Sequence, residues 1–331
     1  MATIWGIAGA GKISHDFVTA LKALPKGEHV VIAVASASGK NKAEEFAKKH
    51  NITNAYGTYE ELATNDKIDV IYVGSLNPQH FPNSKLFLDN GKAVLCEKPL
   101  CMNYKEADIL IKLAKKNNLF LMEALWTRYF PVYEELKQHL AAGTIGDVLQ
   151  VDTSFGVKIS TVDRLRLKEL GGGTVLDLGV YALQLLVLIF GNNKPIALKA
   201  LGHTNEDGVD ESMSCILTYS GGRTAVISTH SKVELPNKSY IVGTKGTIEI
   251  SRPMWSPTKI IVNGEEKVFP LPKVEGEFNF VNSVGLNYEA AEVRRCLLEG
   301  LKESPKASHA DSLMIAYLED AIRKQLGVEL E

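Results

Sequence analysis

Short apolar runs alternating with amphipathic stretches over residues 3–123 constrain this chain more than any other feature. Residues 3–8, 30–35, 70–73 and 93–96 are brief, apolar and rich in valine and isoleucine, so they read as strands. Residues 13–24, 42–49, 79–90 and 104–117 between and after them carry helical spacing. In the last of these, Ala107, Leu110, Ile111 and Ala114 share one face, and Asn103 stands where an N-cap belongs. Strands and helices in this alternation imply a parallel sheet covered on both faces.

The chain has 331 residues, enough for two domains that each bury a core. The expected division is 1–123 and 124–331. A net charge of −2 supplies no field to recruit nucleic acid or an anionic membrane, so neither partner is expected. No apolar run of about 18 residues marks a membrane span. The opening run meets its first charge at Lys12 and contains Gly6, Gly9 and Gly11, which suits a strand and its turn rather than a secretory signal. A cytosolic protein is expected. Cys96, Cys101, Cys215 and Cys296 form no C-x-x-C pair, and the histidines form no ligand cluster, so no metal is expected.

The first turn reads Gly9-Ala10-Gly11-Lys12-Ile13-Ser14, a G-x-G-x-x-S variant of the dinucleotide fingerprint. Two glycines let backbone N–H groups approach a pyrophosphate at a helix N-terminus, and Ser14 is small enough to replace the third. The second strand is followed by Ser36, Ser38, Lys40 and Lys42, with no carboxylate before Glu44. An acid there would hold a ribose 2′-OH and repel a 2′-phosphate. Its absence favours NADP over NAD.

Three further features carry chemistry. Asn77-Pro78-Gln79-His80 opens a helix after one strand, and Glu97-Lys98-Pro99 ends the next. Lys98 is either a solvated surface group or an ammonium held at the sheet edge where ligands bind. Gly171-Gly172-Gly173 leads into an amphipathic helix in which Asp177 and Tyr181 are four residues apart and share a face. They are either functional or a locally paired acid and a core phenol. Beyond them, 148–155, 196–202, 212–219, 224–231 and 247–250 have strand character, with Gly221-Gly222 as a hairpin turn. The fold class expected is α/β plus α+β: a doubly wound parallel sheet of Rossmann type, then a large, mostly antiparallel open sheet.

The G-x-G turn, Glu97-Lys98-Pro99, the glycine lead into Asp177-x-x-x-Tyr181 and the segment Gly243-Thr244-Lys245-Gly246-Thr247 together resemble the Gfo/Idh/MocA oxidoreductases over the whole chain. Segments such as WGIAGAGKIS, AVLCEKP and FLMEALWTRYFP are similar to the branch of that family that oxidises dihydrodiols and D-xylose, where tyrosine replaces the usual histidine at Tyr181. The resemblance implies a catalytic pair, Lys98 and Tyr181, with Asp177 beside it. It also implies substrate contacts from Trp126, Phe155, Trp255 and Phe280, and a homodimer covering the open sheet. The cofactor set expected is Gly9, Gly11, Lys12, Ile13, Ser36, Ser38, Lys40, Asn77, His80, Glu97, Lys98 and Arg128. In that scheme an ammonium lowers the phenol pKa from about 10 so that Tyr181 takes a hydroxyl proton as hydride leaves. A different aldose dehydrogenase, a dicarbonyl-sugar reductase or a non-catalytic nicotinamide sensor are the alternatives.

Overall fold

The computed structural model describes residues 1–328. They form two compact units. Unit 1 gathers Met1–Cys101, Lys105–Trp126 and Leu271–His309; unit 2 gathers Met102–Tyr104, Thr127–Pro270 and the residues from Ala310 onward.

In unit 1 the strands are β1 (Thr3–Ala8), β2 (His29–Ala35), β3 (Asn54–Tyr56), β4 (Val70–Val73), β5 (Ala93–Glu97) and β6 (Leu121–Ala124). All pairs are parallel, in the order β3-β2-β1-β4-β5-β6. The order reverses between β1 and β4, which is where a doubly wound sheet opens a crevice for ligands. Helices α1 (Lys12–Ala20), α2 (Lys40–His50), α3 (Tyr59–Ala63), α4 (His80–Asp89) and α5 (Tyr104–Lys116) connect the strands. Phe17 of α1 stacks on Tyr72 of β4 at 4.0 Å and meets Trp5 of β1 edge-on at 5.1 Å. All three rings are fully buried, so α1 is seated against the two strands that flank the crevice.

The expected division at residue 123 is corrected by the late segment of unit 1. Helix α9 (Leu286–Leu298) buries Leu286, Ala290, Val293 and Cys296 and packs on α1. Asp16 of α1 accepts from the backbone N–H groups of Asn279 and Phe280 and from the Ser283 hydroxyl at 2.7–3.0 Å. A buried carboxylate taking this many donors fixes the returning segment to the first helix.

Unit 2 is built on eight strands: β7 (Val148–Gly156), β8 (Ala197–Thr204), β9 (Asp210–Tyr219), β10 (Arg223–His230), β11 (Ser239–Gly243), β12 (Gly246–Ile250), β13 (Lys259–Val262) and β14 (Glu265–Val268). The order is β14-β13-β12-β11-β7-β10-β9-β8, antiparallel except for β7 beside β10. Gly221 and Gly222, both at positive φ, turn β9 into β10, as a two-residue hairpin requires. The sheet has two unlike faces. Met213, Cys215, Leu217, Ala225 and Ile227 are buried on one. Leu201, Ile216 and Tyr240, brought to the other by register, are 81%, 52% and 41% exposed.

Helices α6 (Pro131–Ala141), α7 (Asp163–Arg166), α8 (Val180–Phe190) and α10 (His309–Gln325) complete the elements. The expected amphipathic helix after the glycines is instead buried nearly all round, from Val180 through Val187. Two sequence expectations change with it. The stretch Lys168–Phe190 is long and apolar enough to cross a membrane by length and composition, and 89% of its most apolar window is buried inside the structure. Its apolarity serves the core of unit 2, where α8 packs on β7.

Candidate active site

The glycine turn owes its shape to two close approaches. Gly9 has φ +105°, and a Cβ there would stand 2.8 Å from the Gly74 carbonyl oxygen at the end of β4. A Cβ on Gly74 would stand 2.4 Å from the Ser14 hydroxyl oxygen and 3.4 Å from Ile13. The missing third glycine of the fingerprint is thus offset by a glycine on the facing strand. Above Gly11 there is open space, since a Cβ there would meet only the Gly74 oxygen at 4.0 Å. A cleft of about 370 Å³ opens here, lined by Ala10, Gly11 and Lys12 among others. The first turns of α1 and α2 carry no acid. Open space over a helix N-terminus with lysine nearby and no acid in the first helical turn fits a dinucleotide phosphate. Ser36 is buried and its hydroxyl accepts from the Ser38 N–H at 3.2 Å, while Ser38 and Lys40 are exposed.

Glu97-Lys98-Pro99 is held by groups scattered through unit 1. The Tyr72 hydroxyl donates to Glu97 at 2.6 Å, and the Lys98 N–H reaches its other oxygen at 3.3 Å. The Leu100 N–H donates to Glu123 at 2.9 Å. Lys98 itself is half-buried, and its peptide bond to Pro99 is cis. His80, expected at the cofactor, is a clasp: its ring nitrogens lie 2.7 Å from the Pro99 carbonyl and 3.1 Å from that of Ser75. Burial, aided by the Lys98 charge, pushes its imidazole below the usual range against the pull of those two carbonyls. With both nitrogens so engaged, His80 orients the lysine loop and has no nitrogen left for a ligand. Asn77 begins the short helical turn that leads into α4.

In unit 2 each of the three glycines has a distinct reason. Gly171 takes a left-handed conformation, a Cβ on Gly172 would stand 2.5 Å from the Leu165 carbonyl oxygen, and one on Gly173 would stand 2.4 Å from Asp210. That aspartate caps the helix from a distant strand. It accepts from the Val175 N–H at 2.7 Å and the Thr174 hydroxyl at 2.8 Å. The helix then makes a π turn over Val175–Gly179 before α8 begins. Asp177 lies in that wide turn, and Tyr181 in the first turn of α8. Such turns are common at functional sites because they re-aim side chains within a helix. Arg164 pairs with Asp177 at 2.8 Å.

Around Tyr181 the structure gathers two of the four expected substrate aromatics. Its ring is 5.5 Å from Phe155, which stacks on Trp255 at 4.0 Å with the planes 5° apart. Phe155 and Trp255 occupy each other's faces, so a flat ligand would meet an outer face of the stack instead of entering between them. Trp126, buried at the end of β6, and Phe280, 40% exposed, belong to unit 1. Arg128, also expected at the cofactor, is 2% exposed in unit 2. Its guanidinium donates to the Gln184 side chain and carbonyl at 2.5 Å and lies 3.6 Å from Asp311. These internal partners give it a framework role.

Sequence reasoning missed Arg164, Asp210 and Tyr72, whose partners lie 13, 35 and 25 residues away, and Glu289, which nothing in the sequence sets apart. Glu289 of α9 is fully buried, with no hydrogen-bond partner for either carboxyl oxygen among the described residues. Burial, and then the charge of Glu97, push it well above the carboxylate range. Glu97 has two donors and Glu289 none, so Glu97 keeps the charge and Glu289 the proton. A carboxyl with a raised folded pKa stabilises the fold below its unfolded pKa, and that contribution is lost as pH rises toward the folded value. Stability should therefore fall with rising pH above about 4.5, by up to about 1.4 kcal/mol per unit from this group. In urea titrations across pH, Glu289→Gln should flatten that slope and be the more stable protein in mild alkali. An unchanged slope would mean that Glu289 is ionised in the native state.

Comparison with known proteins agrees with this geometry. Residues 4–125 match the oxidoreductase family GFO_IDH_MocA, NAD-binding Rossmann fold, and residues 133–249 match the GFO/IDH/MocA C-terminal domain. The chain is 52% identical to trans-1,2-dihydrobenzene-1,2-diol dehydrogenase of Xenopus tropicalis, with 99% of each chain covered. It is 42% identical to the human enzyme of that name, over 99% of this chain and 98% of the other. Among solved structures it resembles KijD10, a 3-ketoreductase from Actinomadura kijaniata in complex with NADP and TDP-benzene. That match has 25% identity and a TM-score of 0.82, with 98% of each chain covered. The chain belongs to the Gfo/Idh/MocA family of oxidoreductases, with a nicotinamide-dinucleotide-binding Rossmann domain.

Proposed function

We propose that this oxidoreductase is an NADP-dependent dehydrogenase that oxidises a secondary alcohol of a trans-dihydrodiol or of a pyranose such as D-xylose. The observation that carries the reading is the Tyr181 phenol beside the stacked Phe155 and Trp255 rings, one turn after Asp177. A phenol is an acid–base group, and an aromatic face suits either a flat diol ring or the apolar side of a sugar. The names of the relatives support the diol, and NADP in the KijD10 complex supports the cofactor.

Bound NADP would supply the hydride acceptor. The turn from Gly9 to Ile13 would hold its pyrophosphate, and Ser36, Ser38 and Lys40 its 2′-phosphate, with no carboxylate there to repel it. Tyr181 takes the hydroxyl proton in oxidation and returns it in reduction. Lys98 polarises the reacting oxygen, its backbone fixed by Glu97 and by the His80 clasp on Pro99. Asp177, oriented by Arg164, accepts from a second substrate hydroxyl. A cytosolic location is part of this proposal, supported by four buried free thiols that suit a reducing compartment.

Tyr181→Phe keeps the ring and removes its proton. Its kcat should fall by about 10²-fold or more, while NADP affinity by fluorescence titration stays unchanged. Lys98→Met should also lower kcat, and the double variant should lose less than the product of the single losses. Near-normal kcat in Tyr181→Phe would overturn the assignment. NADP should bind more tightly than NAD, and Ser36→Asp should reverse the preference; equal affinities in the wild type would contradict the cofactor assignment.

The exposed sheet face carrying Leu201, Ile216 and Tyr240 is proposed as a homodimer interface, since apolar side chains spread over three strands are costly in water. Light scattering should report twice the formula mass of 36.2 kDa, and Ile216→Asp should yield monomer. A monomeric wild type at micromolar concentration would contradict this.

A further inference from the structure

On one side of unit 1, Lys12, His15 and Thr19 of α1 and Lys22 just after it line a groove with Lys42, Lys49 and His50 of α2. The outer part of the groove is the cleft beside Gly11. The inner part, about 160 Å³, is lined by His15, Thr19, Lys22, Lys49, His50 and the Gly276-Glu277 segment. The acids bordering the groove are Glu45, which pairs with Lys42 at 3.3 Å, and Glu277. Lys22 and Lys49 make no ion pair among the described residues. Cations therefore outnumber carboxylates along both walls, most of all in the inner part.

The floor holds a histidine pair. His15 Nδ1 lies 2.8 Å from His50 Nε2, and His15 Nε2 lies 3.0 Å from the Glu277 carbonyl oxygen. A carbonyl only accepts, so His15 Nε2 carries the hydrogen and His15 Nδ1 is an acceptor. His50 Nε2 then donates to it, and His50 Nδ1 is the one basic nitrogen left in the neutral pair. Burial first, then His15, Lys49 and Lys22, push the His50 imidazole down to about 4.

The geometry points to a binding site for a dianionic phosphate group in the inner part of this groove, with Lys22 and Lys49 supplying charge and His50 taking up a proton as the anion enters. The volume suits a single tetrahedral anion. An anion beside the pair adds attraction that opposes the burial and the repulsion holding His50 down, so its imidazole pKa rises on binding. Binding then takes up a proton, and affinity grows as pH falls through that raised value. The site stands on residues outside the proposed chemistry and does not depend on the dehydrogenase reading. Its phosphate belongs to a separate phosphorylated metabolite, since the cofactor's 2′-phosphate is assigned to Ser36, Ser38 and Lys40, none of which lines the inner part.

Sulfate is the probe, because it stays a dianion where phosphate itself titrates. Calorimetric titration of the full chain with sulfate, chloride-matched for ionic strength, should show saturable binding with proton uptake. Binding should be about threefold or more tighter near about pH 6 than near about pH 8. Lys22→Met and Lys49→Met, both exposed side chains whose loss leaves the core intact, should each weaken it about tenfold. His50→Asn should still bind sulfate but without the pH dependence. Undiminished binding in saturating NADP supports a ligand separate from the cofactor; displacement of sulfate by NADP would overturn the proposal. Absence of saturable binding, binding equal at both pH values, or affinity unchanged in the Lys22→Met, Lys49→Met double variant would overturn it.

Discussion

At the carboxyl edge of the parallel sheet, two backbones meet where neither has room for a side chain. Gly9 lies over the Gly74 carbonyl, and Gly74 lies against the Ser14 hydroxyl. This contact joins β1, β4 and α1 at the point where strand order reverses. It leaves the space over Gly11 open and aims the N-terminus of α1 at that space. The stacked Phe17 and Tyr72 rings brace the same three elements from below. Tyr72 then extends the brace sideways, because its hydroxyl holds Glu97 and Glu97 takes the Lys98 N–H. The cofactor turn and the lysine loop thus hang on one set of close contacts.

Unit 2 uses the same physical device. A buried carboxylate, Asp210, collects donors from the start of a helix and sets where the next turn begins. Burial raises its pKa, and the two donors and the Arg323 charge oppose that rise. The π turn that follows carries Asp177, and the first turn of α8 carries Tyr181 in an apolar setting. In each unit a buried carboxylate orients a conspicuous segment: Glu97, within its own motif, takes the Lys98 N–H, and Asp210, far along the chain, caps the helix that carries Asp177 and Tyr181.

This division explains what was legible in the sequence. The apolar runs at 3–8 and 70–73 coincide with β1 and β4, because a strand buried on both faces must be apolar throughout. The Gly221-Gly222 turn was readable because it requires backbone freedom at fixed positions, and the Gly243-Thr244-Lys245-Gly246 turn because a Cβ at either glycine would strike Ile145 or Asn263. The strands β3, with three residues, and β14, with the sequence EEKV and every residue exposed, carry no such pattern. Lys98, Asp177 and Tyr181 stand out in the sequence beside proline and glycine. Asp210 and Glu289 do not, since nothing local distinguishes a buried acid from a solvated one, and Arg164 does not, since its partner Asp177 is 13 residues away. The roles expected of His80 and Arg128 changed for the same reason. Their partners, the Pro99 carbonyl and Gln184, are 19 and 56 residues away and visible only in the fold.

The central claim is that this fold moves a hydride from a carbon bearing a hydroxyl to NADP. The most direct measurement uses D-xylose and a trans-dihydrodiol, each carrying deuterium on the carbon to be oxidised, with NADP and the wild-type chain. Nuclear magnetic resonance then follows the label. The account predicts reduced cofactor with deuterium on the nicotinamide ring, from at least one of the two substrates. Reduced cofactor without the label, or no reduction with either substrate while NADP is bound, would contradict it.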